Sequence, residues 1–215
     1  MESIIKKRIN FDKDLKNSSH NLLKNIKNKN ILVIGGAGTI GSSYIKQVLN
    51  FKPSKLTVVD INENGLTELT RDLRSSNLLD YKPEYITYPV SLLSSTFDKI
   101  FNSDSWNIVA NFSAHKHVRS EKDKISVEAL LKNNVFGAIK LLELCKLNSP
   151  NYFFSVSTDK AANPVNIMGA SKSIMEKLIL SMKNEFRVST ARFANVAFSN
   201  GSLLDGFIYR LNKKQ

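Results

Sequence analysis

Thr158, Asp159 and Lys160 set a hydroxyl, a carboxylate and an ammonium group on three consecutive residues. They follow Tyr152-Phe-Phe-Ser-Val156, an apolar run whose length and composition predict a buried strand. Beyond them a helical pattern begins near Met168, with Ile174, Leu178, Ile179 and Met182 set against Lys172, Glu176, Lys177 and Lys183. Met168 and Lys172 are four apart and share a helix face. An acid and a base at a strand end, facing a helix lysine, form a proton-transfer geometry. In open α/β sheets that carboxyl end is where ligands bind. The plainer alternative is a polar turn, with Pro164 breaking the chain.

A second stretch adds weight to the chemical reading. Ile31-Leu-Val-Ile34 predicts a short buried strand that runs into Gly35-Gly-Ala-Gly-Thr-Ile-Gly41 and then a helix over 42–49. The glycines fall at every third position. Gly35 allows a tight turn, Gly38 lets backbone amides approach a pyrophosphate, and Gly41 lets helix and strand pack closely. Thr39 and Ile40 complete the turn, and the helix N-terminus offers partial positive charge to phosphates. The next strand, Leu56-Thr-Val-Val-Asp60, ends in an acid nineteen residues past Gly41. Asp60 can accept hydrogen bonds from the adenosine ribose hydroxyls and would repel a 2′-phosphate, which favours NAD over NADP; Arg71 or Arg74 could reverse that preference.

The alternation that must position these groups continues along the chain. Helices are expected over 63–73, 97–101 and 126–147, and strands over 85–90, 107–112, 152–157 and 188–193. Strands alternating with helices predict an α/β fold, a doubly wound parallel sheet of the NAD(P)-binding Rossmann type. Residues 1–29 are expected to form a basic helical arm, with Phe11, Leu15, Leu22 and Ile26 on one face, and residues 30–215 the dinucleotide-binding domain. Asn134 lies inside the long helix expected over 126–147, where asparagine is a poor helix former; it either orients the site or faces solvent. His115 and His117 follow the fourth strand without the clustering of a metal site, so no metal is expected.

Composition narrows the classes. The 215 residues have 42% hydrophobic content, with no apolar run long enough to span a membrane and no signal-peptide core. The single Cys145 predicts a buried thiol in a reducing cytoplasm. The net charge of +12 comes from 31 basic and 19 acidic residues. The lysines are scattered and not interleaved with aromatics, which argues against nucleic acid and for a solvated surface that attracts a nucleotide.

The motifs Gly35–Gly41, Ala114-His-Lys-His-Val118, Lys132-Asn-Asn-Val-Phe-Gly137, Ser157-Thr-Asp-Lys-Ala161, Met168-Gly-Ala-Ser-Lys172 and Arg192-Phe-Ala-Asn-Val196 occur in order. Together they resemble the extended short-chain dehydrogenase/reductases of polysaccharide biosynthesis, in the CapD-like branch of UDP-N-acetylglucosamine 4,6-dehydratases. The resemblance implies bound NAD(P) as a transient oxidant, a nucleotide-sugar substrate, a homo-oligomer, and a role in surface-glycan precursor synthesis. It implies that Thr158 binds the sugar O4, that Asp159 is the acid at the C6 hydroxyl and that Lys160 is the base at C5. Lys172 would hold the nicotinamide ribose; Ala114, Lys116 and Asn134 extend the cofactor site, and Lys116, His117 and Asn195 the substrate site. Three departures from the family pattern stand out. Met168 occupies the place of the usual acid–base tyrosine, the third strand lacks an aspartate for adenine, and Phe198 replaces a glycine, implying a changed substrate pocket. The chain stops short of its relatives, so a truncated C-terminal substrate region is expected. A 4-epimerase or a catalytically silent NAD-binding module are the rival readings.

Overall fold

A computed structural model describes residues 11–118, 121–199 and 201–214. The first helix, α1 (Phe11–Ile26), is followed by β1 (Asn30–Ile34), α2 (Thr39–Leu49), β2 (Lys55–Val59), α3 (Glu63–Ser75), β3 (Glu84–Tyr88), α4 (Ser95–Asn102) and β4 (Ile108–Asn111). Next come α5 (Lys124–Leu131), a π-helical turn (Lys132–Phe136), α6 (Gly137–Asn148), β5 (Tyr152–Thr158), a 3₁₀ turn (Asp159–Ala161), α7 (Ile167–Ser181), β6 (Arg187–Phe193) and α8 (Leu203–Asn212). All six strands run parallel in the order β3-β2-β1-β4-β5-β6. The chain therefore reverses direction across the sheet between β1 and β4, and the crevice at that reversal holds ligands in this architecture.

The side-chain alternation of β1 explains both layers. Ile31 and Val33 point to one face and pack with Ile45, Leu66, Leu73 and Ile26 from α2, α3 and α1. Leu32 and Ile34 point to the other and pack with Phe97, Phe101, Leu141, Cys145 and Ile179 from α4, α6 and α7. Both faces are covered, which is why the central strands read as continuous apolar runs. Cys145 is a buried free thiol, its pKa pushed up to about 12 by desolvation.

Three readings need correction. The expected long helix is interrupted, because the π-helical turn inserts at Lys132–Phe136 and rotates Asn134 inward, where it is buried. In α7 the buried side chains are Met168, Lys172, Met175, Glu176 and Ile179, whereas Ile174 is 45% exposed. Tertiary packing thus overrode the apolar count: the helix turns its charged pair toward the sheet. In α1 only the last turn docks, through Leu22 and Ile26, and Phe11 is exposed; the expected arm's residues 1–10 lie outside the described residues. The last helix, α8, was not foreseen and buries no residue.

Candidate active site

The glycine turn is built by exclusion. Gly35 has φ +75° and lies so close to the chain after β4 that a Cβ would sit 2.5 Å from Ser113 N. A Cβ on Gly41 would overlap the Gly35 carbonyl. The helix that follows lacks the side-chain cap that five of the described helices carry. Asn62, Ser94, Asp123, Asn166 and Ser202 cap α3, α4, α5, α7 and α8 with side-chain hydrogen bonds. By contrast α2 begins at Gly38 with no side-chain cap and no acidic residue in its first turn. Its positive dipole end faces the cavity described below, as suits an anionic ligand. Asp60, at the end of β2, braces the turn by accepting from Ala37 N at 2.9 Å and from Asn62 N at 2.9 Å. Arg71 is engaged with Glu68 at 2.5 Å.

The carboxyl end of β5 carries the second half of the site. Thr158 Oγ1 donates to Asp159 Oδ1 at 2.8 Å, and Lys160 reaches the same oxygen through its backbone N at 2.9 Å and through Nζ at 3.3 Å. The Thr158 hydroxyl first, and then Lys160, hold the Asp159 carboxyl below the usual carboxylate range. Across from them Lys172 is buried, with Nζ donating to the Val156 carbonyl at 3.2 Å and 3.5 Å from Met175 Sδ. Burial brings its pKa down to about 8, opposed by the charge of Glu176 one turn on. Glu176 is itself gripped bidentately by Arg192 of β6, at 2.9 and 2.6 Å, and these hydrogen bonds keep its carboxyl ionised.

Two further contacts hold the walls in place. The buried Asn134 accepts from His115 N at 2.9 Å and donates to His115 O and Ser171 Oγ at 3.0 Å each. Ser171 Oγ passes a bond on to Met168 O at 2.7 Å. The loop after β4 is thus tied to the start of α7. Glu121 does the same from farther along, its carboxylate accepting from Met168 N at 2.6 Å. The pattern of residues gave no sign of Glu121 or of the Glu176–Arg192 pair, whose partners are 47 and 16 positions apart. For Asn134 the signal was a poor helix former in mid-helix, and its solvent-facing reading is excluded.

One cavity of about 860 Å³ joins the two halves. Gly35, Gly38, Thr39, Ile40, Gly41 and Asp60 line one end, Ala114, Lys116 and His117 a wall, and Thr158, Lys160, Met168, Lys172 and Asn195 the other end. Asp159 stands outside the lining with its side chain half exposed, and Asn134 sits behind the wall. Val90, Ser91 and Leu92, after β3, line the same cavity without a carboxylate. Phe198 corrects an expectation: it does not line the cavity, and its consequence is a backbone at φ +59°, where glycine is the unstrained choice. Among the described residues no group of His, Cys, Asp or Glu could hold a metal ion, and no helix is long and apolar enough to cross a membrane.

The family model for "Polysaccharide biosynthesis protein" matches residues 31–215. The chain belongs to this family. It is 32% identical over 189 residues to the capsular polysaccharide biosynthesis protein CapD of Staphylococcus aureus, covering 86% of the chain and 31% of that protein. It is 31% identical over 185 residues to a UDP-N-acetylglucosamine 4,6-dehydratase (inverting) of Campylobacter jejuni, covering 83% of the chain and 52% of that enzyme. The chain therefore spans about half the dehydratase's length and a third of CapD's. Among solved structures, Pen from Bacillus thuringiensis superposes with a TM-score of 0.76 at 26% identity, over 87% of this chain and 56% of that one. Bordetella bronchiseptica WbmF in complex with NAD+ shares the fold, with a TM-score of 0.62 at 19% identity over 79% of this chain and 51% of that one.

Proposed function

We propose that this protein is the catalytic NAD-binding part of a nucleotide-sugar 4,6-dehydratase acting on a UDP-N-acetylglucosamine-like substrate. The observation that carries the reading is the Thr158–Asp159–Lys160 relay at the end of β5, joined by one cavity to an uncapped helix N-terminus. The residues at that end fit a dinucleotide. The uncapped N-terminus of α2 suits a pyrophosphate, and the Asp60 carboxylate suits ribose hydroxyls while repelling a 2′-phosphate. When bound, NAD supplies a reversible acceptor for the hydride of the sugar C4.

The chain's own groups then divide the proton work. Lys172 keeps positive charge beside the reacting centre, since a pKa of about 8 leaves it mostly protonated at neutral pH. Met168 cannot exchange a proton, so the acid–base roles pass to the relay. Thr158 accepts a hydrogen bond from the sugar O4 while its own hydroxyl donates to Asp159. The proton that leaves O4 as C4 is oxidised passes through Thr158 to Asp159, which delivers it to the departing C6 hydroxyl. Lys160, in its neutral form, takes the C5 proton and gives it back to C5 once C6 is reduced. Its side chain is 39% exposed, within reach of a substrate in the cavity.

Asp159→Asn and Lys160→Met test this assignment. Each should abolish loss of water from the sugar nucleotide while NAD still binds with wild-type affinity; turnover that survives either change would refute the roles. A 4-epimerase uses the same transient oxidation without elimination, and a UDP-glucose 4-epimerase of Rickettsia prowazekii is 26% identical over 194 residues. Met168 in place of a tyrosine favours the dehydratase.

A further inference from the structure

A second cleft, of about 310 Å³, opens at the opposite edge of the sheet, where the strands begin. Tyr152 and Thr158 are the two ends of β5, so the cleft lies roughly 20 Å from the relay at about 3.3 Å per residue. Its hydrogen-bond polarity is fixed by groups that can act in only one sense. The Arg187 guanidinium can only donate, and it donates to Tyr152 Oη at 2.8 Å. The tyrosine proton therefore goes to Asn25 Oδ1, at 3.1 Å, while Asn25 Nδ2 donates to the Asn21 carbonyl. On the other side the Asn30 backbone N–H donates to Asn107 Oδ1 at 2.9 Å, so Asn107 Nδ2 must donate to Asn151 Oδ1 at 3.1 Å.

Every side-chain acceptor lining the cleft is thereby engaged, and what remains is a surplus of donors. These are Asn151 Nδ2, the other Arg187 N–H groups, and the ammonium groups of Lys24 and Lys29. None of the three cations meets a carboxylate among the described residues, although Lys55, Lys140 and Arg192 each do elsewhere. The Arg187 guanidinium is also held over the Tyr152 ring, 5.3 Å from its centroid, which fixes its fork before any ligand arrives. Three cations and a one-sided donor set call for an oxygen-rich anion, and a phosphate accepts such a fork with more charge than a carboxylate brings. The volume is at the small end of ligand pockets.

We propose that this cleft binds a small phosphate-bearing anion, at a site separate from the dinucleotide cavity. The test is a ¹H–¹⁵N NMR titration of the 215-residue chain with inorganic phosphate and, separately, glycerol 3-phosphate. Saturable shifts are expected at the Asn151 side-chain amide, at Arg187 Nε and at Lys29. Arg187→Gln should weaken binding at least tenfold and Lys29→Gln severalfold, while the exposed Lys177→Gln leaves it unchanged. Tighter binding of the ester would mark a phosphate ester as the ligand, and tighter binding of phosphate the free ion. Thermal melts report whether each variant is folded; should Arg187→Gln not fold, Lys29→Gln carries the comparison. Shifts that stay linear with concentration, that spread evenly over the lysines or that stay within residues 35–41 would overturn the proposal, as would undiminished affinity in the folded variants.

Discussion

Replacing Lys172 by methionine separates what a buried charge costs the fold from what it contributes to the site. The side chain is 3% exposed, and its pKa of about 8 stands against 10.5 for a solvated lysine. At about 1.4 kcal/mol per pKa unit, protonated Lys172 costs the folded state about 3 kcal/mol at pH 7. Methionine fills a similar volume without charge but leaves the Val156 carbonyl without its donor, a loss of about 1 kcal/mol. The variant should therefore be more stable than wild type by about 2 kcal/mol at pH 7. Because the folded pKa is the lower one, the unfolded chain binds more protons between about pH 8 and 10.5, and wild-type stability rises with pH across that window. Wild type should regain about 2 kcal/mol on the variant between pH 7 and 9.5. Tyr44, Tyr81 and Cys145, each raised to about 12 by burial, weaken both proteins alike at high pH and cancel in the difference. Urea unfolding of both proteins at the two pH values measures it. A gap that does not change with pH would refute the desolvation of Lys172, and a less stable variant at pH 7 would refute the balance drawn here.

Phe198→Gly should stabilise the chain by about 1 kcal/mol in thermal unfolding, because φ +59° is strained for phenylalanine and free for glycine; destabilisation would show that its partly exposed ring packs usefully. Gly41→Ala, whose Cβ would overlap the Gly35 carbonyl, should lower NAD affinity at least tenfold in a fluorescence titration, and wild-type affinity would refute the turn geometry. Asn134→Ala strands two backbone groups of His115 and the Ser171 hydroxyl; it should cost about 2–4 kcal/mol in urea unfolding, and a cost near zero would mean that solvent replaces these bonds.

The order of elements, the parallel sheet and the glycine turn could all be read from the residues, since each follows from local period and turn chemistry. Ile31–Ile34 and Gly35–Gly41 announce a strand and a tight turn wherever they stand in space. The errors came where long-range contacts decide. Helix period alone put Ile174 inside and Glu176 outside, and it is chiefly Arg192 on β6, then Ser157 and Lys172, that makes burying Glu176 favourable. Asn134 is turned inward by a π-helical turn whose gain is the bond to His115, nineteen positions away. Glu121 had no local signature, because its partner is the backbone of Met168. Thr158, Asp159 and Lys160 drew attention because three different polar groups end an apolar strand; that Asp159 stands at the rim, outside the cavity lining, required the fold.

Incubation with NAD and UDP-N-acetylglucosamine in deuterated water, followed by mass spectrometry and NMR of the sugar nucleotide, tests the central claim most directly. Removal of the C5 proton by Lys160 and departure of the C6 hydroxyl predict a product lighter by one water, with deuterium at C5. A product of unchanged mass with an altered C4 configuration and protium at C5 would contradict the dehydratase reading and establish the epimerase.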